Sequence, residues 1–176
     1  MQQRDNPRIE PVLQQLSEVP DRAWFAALGL GVFGLVAAGL ALQQLVKIAP
    51  CPLCIAQRVL YLLVAGLALA GVAWPRARAL WSGLIGLTAL AGWSIAAYQS
   101  WMQAYPHLAP ECSYTDPNLL ERLVDWLGMQ WPSLFLATGF CSSRDWEFVG
   151  LSLANWSLLV FTAIVCAAAW LLRRGR

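Results

Sequence analysis

Two cysteines, Cys51 and Cys54, stand two residues apart in the stretch "KIAPCPLCIAQRVLYLL", where one apolar run ends and the next begins, and Arg58 follows four residues later. A dithiol at this spacing suits thiol–disulfide exchange, in which a thiolate attacks a disulfide sulfur. Pro50 and Pro52 lack N–H groups and so suit the opening of a helix, where those groups are unpaired anyway. Cys54 then falls in the first turn, where the positive end of the helix dipole supports negative charge. Arg58, at i+4 from Cys54, shares its helix face. A structural disulfide across so short a loop removes little chain entropy. A haem attachment would need histidine at 55, where Ile55 stands. A zinc site would have to recruit Cys112, Cys141 or His107, without a second close ligand pair.

The remaining cysteines are Cys112, Cys141 and Cys166. The first two lie in a long polar segment and the third in the last apolar run, where free cysteine commonly behaves as a small buried hydrophobe. Four cysteines allow three connectivities. The simplest keeps the adjacent pair Cys51–Cys54 together and joins Cys112 to Cys141.

These residues must be positioned by a chain that is 59% hydrophobic and only 12% charged, with ten tryptophans. Soluble domains carry about 25% charged residues, and Trp gathers at membrane interfaces. There is no dense basic cluster for nucleic acid and no Gly-rich phosphate loop. Four apolar segments approach the ~20 residues that cross a ~30 Å hydrocarbon core. In lipid they must be helices, because every backbone polar group needs an internal partner. The helices are expected at about 23–46, 55–74, 79–99 and 151–172. The first is too long for a signal h-region and reads as a retained anchor. It follows a tail, residues 1–22, with a short surface helix expected around Pro11 to Ser17. Residues 173–176 form the other tail.

Eight cations (Arg4, Arg8, Arg22, Arg76, Arg78, Arg173, Arg174, Arg176) fall on the side of the two tails, against four (Lys47, Arg58, Arg122, Arg144) on the other. The bias places both termini in the cytoplasm. The Cys51–Cys54 turn and the segment 100–150 then face outward, where disulfides form. Within that segment Asp116-Pro117 reads as a helix start, "NLLERLVDWLG" has helical periodicity, and Gly128 reads as a stop. The aromatic stretch from Trp131 to Phe148 suits an interfacial element that carries Cys141 close to Cys51; ordinary Trp anchoring would explain the aromatics but not the cysteine. The expected fold is all-α: an integral membrane four-helix bundle with a long periplasmic loop that carries a short amphipathic, interfacial helix.

A dithiol at the water–lipid boundary exchanges with protein disulfides on one side and meets a lipid-soluble oxidant on the other. Thiol exchange alone cannot dispose of electrons; a membrane redox carrier, most simply a quinone, can. Arg58 would donate to a quinone carbonyl and stabilise charge building on the ring.

The motif "CPLCIAQR", the "YP" before Cys112 and "TGFCSSRDWEFVGL" around Cys141 resemble, in order and across residues 24–172, the disulfide bond formation protein B (DsbB) family of Gram-negative inner membranes. The resemblance implies a quinone-dependent protein-dithiol oxidoreductase with ubiquinone or menaquinone as electron acceptor. Its partner would be a periplasmic thioredoxin-fold, DsbA-like oxidase. Cys112–Cys141 would be the disulfide offered to that partner, with Cys112 forming the mixed disulfide. Cys141 would pass electrons to Cys51, Cys54 would face the quinone, and Arg58 would stand at the quinone site. Two other readings are a reductase of the vitamin K epoxide type and a non-catalytic membrane protein stapled by cysteines. The place of the C-x-x-C at the start of the second helix and the match around Cys141 argue against the first. A staple would not turn over with quinone.

Overall fold

Each apolar run becomes a helix whose ends are set by local chemistry. A computed structural model describes residues 19–107, 119–144 and 146–174. Helix α1 (Asp21–Val46) starts after the extended Pro20 and ends at Lys47, which takes the left-handed conformation (φ 55°). Helix α2 (Pro52–Ala73) opens on Cys51, whose sulfur accepts the Cys54 backbone N–H at 3.4 Å, with Pro52 in the first turn. A 3₁₀ turn, Pro75–Ala77, leads into α3 (Arg78–Ala104). Then follow α4 (Leu119–Gln130), the single turn α5 (Pro132–Phe135), a two-stranded antiparallel hairpin of β1 (Glu147–Phe148) and β2 (Leu151–Ser152), and α6 (Leu153–Arg173). Ser152 caps α6 by accepting the Asn155 N–H at 3.4 Å.

Four of these helices, α1, α2, α3 and α6, are long and apolar enough to cross a membrane, and they form one bundle. Its core gathers Phe25, Val32, Val64, Ala68, Ile85, Ala89, Phe161 and Ile164. Lipid tails supply no hydrophobic drive between helices, so association rests on close packing at small residues. Gly92 shows this: a Cβ there would meet the Phe161 ring at 2.3 Å. Tyr61 stacks on the same Phe161 ring, with the ring centres 4.2 Å apart and the planes 1° from parallel. Large apolar side chains such as Leu30, Phe33 and Leu87 are exposed on the outside, where lipid would cover them. Cys166 also faces outward on α6 rather than packing in the core; a thiol is apolar enough to sit against lipid.

At one end of the bundle Asp21 and Arg78 form an ion pair of 2.9 Å, Arg174 donates to the Val19 carbonyl at 2.8 Å, and the Trp24 and Trp170 rings meet edge to face at 5.0 Å. The cysteines lie at the other end.

Besides Cys166, the structure differs from the sequence-based expectation at four places along the chain. Helix α2 begins at Pro52 rather than near 55, because Cys51 is its cap. Helix α3 runs to Ala104 rather than ending near 99, because Gln99 and Gln103 find buried partners and extend the helix beyond its apolar run. Helix α4 continues through Gly128 to Gln130, and Gly128 is where Phe135 of α5 folds back against it. The chain before α6 forms the β1–β2 hairpin within an otherwise helical fold. The expected short helix at 11–17, the expected helix start at Asp116-Pro117 and the residue Cys112 lie outside the described residues.

Candidate functional site

The Cys51 and Cys54 sulfurs lie 3.0 Å apart at the mouth of α2. Cys51 is an N-cap residue and Cys54 lies in the first turn, so one helix start fixes both. Cys141 reaches the same point from a different part of the chain: Cys51, Cys141 and Met102 form a buried cluster, with Cys54 packed against it. Cys51 and Cys141 are each only 2% exposed. Hydrogen bonds with Cys141 and then Cys54, together with burial, push the Cys51 thiol far above its ordinary range.

Backbone contacts hold the Cys141 segment in place. The Pro50 carbonyl accepts N–H bonds from both Thr138 (2.9 Å) and Gly139 (3.0 Å). Gly139 lies so close that a Cβ there would stand 2.1 Å from the Ala49 carbonyl oxygen. On the far side of Cys141, the Gln103 amide donates to the Ser143 carbonyl at 3.0 Å, and Ser152 donates to the Gln103 Oε1 at 2.6 Å. Two strands of contact, one on each side, thus clamp Cys141 against Cys51.

The clamp has a direct test. In protein retaining Cys51 and Cys141 but with Cys54→Ala and Cys112→Ala, mild oxidation is expected to join Cys51 to Cys141. Gly139→Val should slow that joining at least about tenfold, because a misplacement of 1 Å between reacting groups costs on the order of 100-fold. Peptide mapping under non-reducing conditions reads the result, and equal rates in the two proteins would show that Gly139 does not hold the segment.

Arg58 lies one turn deeper than Cys54 and is partly buried. Its guanidinium donates to the Leu134 carbonyl of α5 and, at 2.7 Å, to Gln43 Oε1 of α1. It therefore ties the α5 turn to two of the spanning helices. A guanidinium has five N–H donors, so these contacts leave capacity for a ligand. Helix α4 packs beside it: Val124 and Phe135 join Ile55 and Ala56 in a second apolar cluster, while Leu119, Leu123 and Met129 are exposed. Arg122 and Asp125 are exposed on the same helix, so α4 joins an apolar face to charge where it packs against the cysteine end of α2.

Beside the sulfurs is a cavity of about 240 Å³. Cys54, Arg58, Gln57 and Gln99 line its polar wall, and Phe140 and Trp156 line part of its apolar wall. Leu35 and Gly39 of α1 and Ser157 and Val160 of α6 also contribute. The two helices that meet at Trp24 and Trp170 thus both flank the cavity at the cysteine end.

Gln57 and Gln99 were not among the residues singled out by sequence. Gln57 Nε2 donates to Gln99 Oε1 at 2.7 Å, and Gln99 Nε2 faces Cys51 Sγ at 3.3 Å and Cys54 Sγ at 3.1 Å. The signal that would have found them is the cost of an amide inside a membrane helix, which marks polar residues there as functional. Gly139 left no comparable trace, because its role depends on a contact with residues about ninety positions earlier.

A four-helix membrane bundle that gathers three cysteine sulfurs, two of them buried, beside a cation and a cavity has the parts of a membrane thiol–disulfide oxidoreductase. The family model for disulfide bond formation protein DsbB matches residues 21–171. The chain belongs to the DsbB family. It is 61% identical over 158 residues to a disulfide bond formation protein B of Dechloromonas aromatica, covering 90% of this chain and 96% of that protein. It is 47% identical over 154 residues to one of an Azoarcus species (86% and 92% covered) and 41% identical over 158 residues to one of Aromatoleum aromaticum (85% and 93%).

Proposed function

We propose that the protein reoxidises a periplasmic, thioredoxin-fold dithiol oxidase of the DsbA type and passes the electrons to a membrane quinone, ubiquinone or menaquinone. The observation that carries this reading is the burial of Cys141 against Cys51, with Cys54 turned to the cavity that Arg58 lines.

The exchange balances as follows. A partner thiolate attacks Cys112 of a Cys112–Cys141 disulfide, and Cys141 leaves as thiolate. Cys141 attacks Cys51 of a Cys51–Cys54 disulfide, and Cys54 leaves as thiolate. The second partner thiol resolves the mixed disulfide, releasing oxidised partner and the Cys112 thiolate. Cys112 then attacks Cys141, restores the first disulfide and frees Cys51. The chain has gained two electrons and two protons on Cys51 and Cys54. A bound quinone supplies the acceptor for both.

The cavity suits such a group. A quinone ring is flat and largely apolar, with carbonyl acceptors at opposite edges. The aromatic walls at Phe140 and Trp156 fit the ring, and Arg58 offers a charged donor. The apolar α1 and α6 residues at the cavity suit an isoprenoid tail arriving from lipid.

Reduced protein given excess quinone in detergent tests the inner step. Two thiols should disappear for each quinol formed, and Cys54→Ala should abolish the loss. Thiols that survive quinone would mark the cysteines as staples and end this reading.

The proposed location is the bacterial inner membrane with both termini cytoplasmic. The cation bias supports it, and Arg78 and Arg174 lie together at the bundle end away from the cysteines. A periplasm-dependent reporter is expected to be silent when fused at Arg78 and active at Asp125. Activity at Arg78 would invert the topology and place the cysteines in a reducing compartment.

A further inference from the structure

We propose that Gln99 is a catalytic residue of the inner cysteine pair and that Gln57 is its positioning residue: the Gln99 amide donates to Cys54 as that sulfur leaves in disulfide exchange. The inference rests on the exchange sequence proposed above and adds two residues to it.

Both amides are buried, Gln57 at 4% and Gln99 at 2% exposure. A buried amide costs stability unless its groups are bonded, and a spanning helix gains nothing from one by packing alone. The two satisfy each other in one direction: Gln57 Nε2 gives to Gln99 Oε1 at 2.7 Å. That leaves the Gln99 NH₂ for the sulfurs, 3.1 Å from Cys54 and 3.3 Å from Cys51. A disulfide or thiolate sulfur carries no proton, so it accepts from an N–H and gains nothing from an amide oxygen. Gln57 therefore selects the amide orientation that the reacting states need.

The step is the attack of the Cys141 thiolate on Cys51. The bond Sγ141–Sγ51 forms, the bond Sγ51–Sγ54 breaks, and the electron pair leaves on Cys54. Charge thus appears at the sulfur nearest the Gln99 donor, on the polar wall of the cavity. A donor already aimed there stabilises the leaving group without reorganisation. Hydrogen bonds to charged partners are about twice as strong as neutral ones, so the bond strengthens as the step proceeds. Arg58 adds a cation one turn further in, but its hydrogen bonds go to the Leu134 carbonyl and Gln43, whereas Gln99 touches the sulfur.

The test uses full-length protein with Cys51, Cys112, Cys141 and Cys166 replaced by alanine, so that Cys54 is the one thiol. Its alkylation by iodoacetamide is followed by mass spectrometry across a pH series. Gln99→Leu is expected to slow alkylation at neutral pH about tenfold, as loss of a hydrogen bond to a charged group implies, while the limiting rate at alkaline pH stays the same. A smaller slowing is expected for Gln57→Leu, because the freed Gln99 amide then faces the sulfur in either orientation. Gln99→Glu should slow the reaction more than leucine does, by placing a carboxylate beside the sulfur. Gln57→Leu/Gln99→Leu removes both partners and leaves no amide unpaired, so it provides a folded protein should the single variant fail; it should match Gln99→Leu. Unchanged neutral-pH rates in the folded double variant would overturn the proposal. The assay uses neither quinone nor partner protein. Loss of quinone reduction in the parent protein would therefore refute the proposed function while leaving this result standing, and the reverse holds equally.

Discussion

A partner oxidase lacking its second cysteine is expected to be captured covalently on Cys112, and the same event is expected to create a Cys51–Cys141 disulfide inside the membrane protein. Attack on a Cys112–Cys141 disulfide leaves Cys141 as a thiolate, and Cys141 is buried against Cys51. The Pro50 carbonyl, bonded to Thr138 and Gly139, holds it there. The shortest outlet for the new charge is therefore attack on Cys51. Peptide mapping of the captured complex under non-reducing conditions should find both linkages in nearly every molecule. Cys112→Ser should prevent capture altogether. Cys51→Ala should permit capture and lose the second linkage, and quinone reduction with it should fall to background. Partner found attached to Cys51 would reverse the order of transfer.

Arg58→Met is expected to raise the KM for quinone by about ten- to a hundredfold. A hydrogen bond to a charged group contributes about 1.5–3 kcal/mol, and each 1.4 kcal/mol is about tenfold. The structure adds a second consequence. Arg58 also holds the Leu134 carbonyl and Gln43, so its loss frees the α5 turn from α1 and α2. Lysine should rescue in part, since a point charge reaches one of these partners but lacks the planar fork that serves several. Methionine is easier to place in lipid than arginine, so the variant should still insert. Quinone titration of the steady-state rate, with reduced partner in excess, separates the two effects. A raised KM with an unchanged rate at saturation marks lost binding. An unchanged KM and rate in folded protein would show that Arg58 serves the loop alone.

What was legible in the sequence follows physical lines. The four spanning helices were visible because lipid demands long apolar runs and leaves the backbone no alternative to helix. The start of α2 was legible in part: the proline and dipole rules put Cys54 in its first turn, as found, but the apolar run pointed to a start near 55, because hydropathy carries no sign of the cap at Cys51. The end of α3 was obscured because hydropathy reports exposure to lipid, not helicity: Gln99 and Gln103 break the apolar run yet sit in the helix with buried partners. The hairpin before α6 involves two residues per strand, too short for any periodicity. Cys166 was expected inside because cysteine is commonly buried in soluble proteins, whereas in a membrane bundle an outward thiol costs little. The meeting of Cys141 with Cys51 was expected from the aromatic stretch and the resemblance and is found, whereas the part Gly139 has in it rests on a contact between distant segments that no local pattern encodes.

The central claim is that electrons from a protein dithiol cross this chain to a lipid-soluble acceptor. The most direct test supplies purified protein, in catalytic amount, with excess reduced thioredoxin-fold oxidase and excess quinone, and follows quinol by its absorbance. Many turnovers are expected, with one oxidised partner for each quinol, abolished by alanine at any of Cys51, Cys54, Cys112 or Cys141. Quinol formation that persists without Cys141, or partner oxidation without quinol, would contradict it.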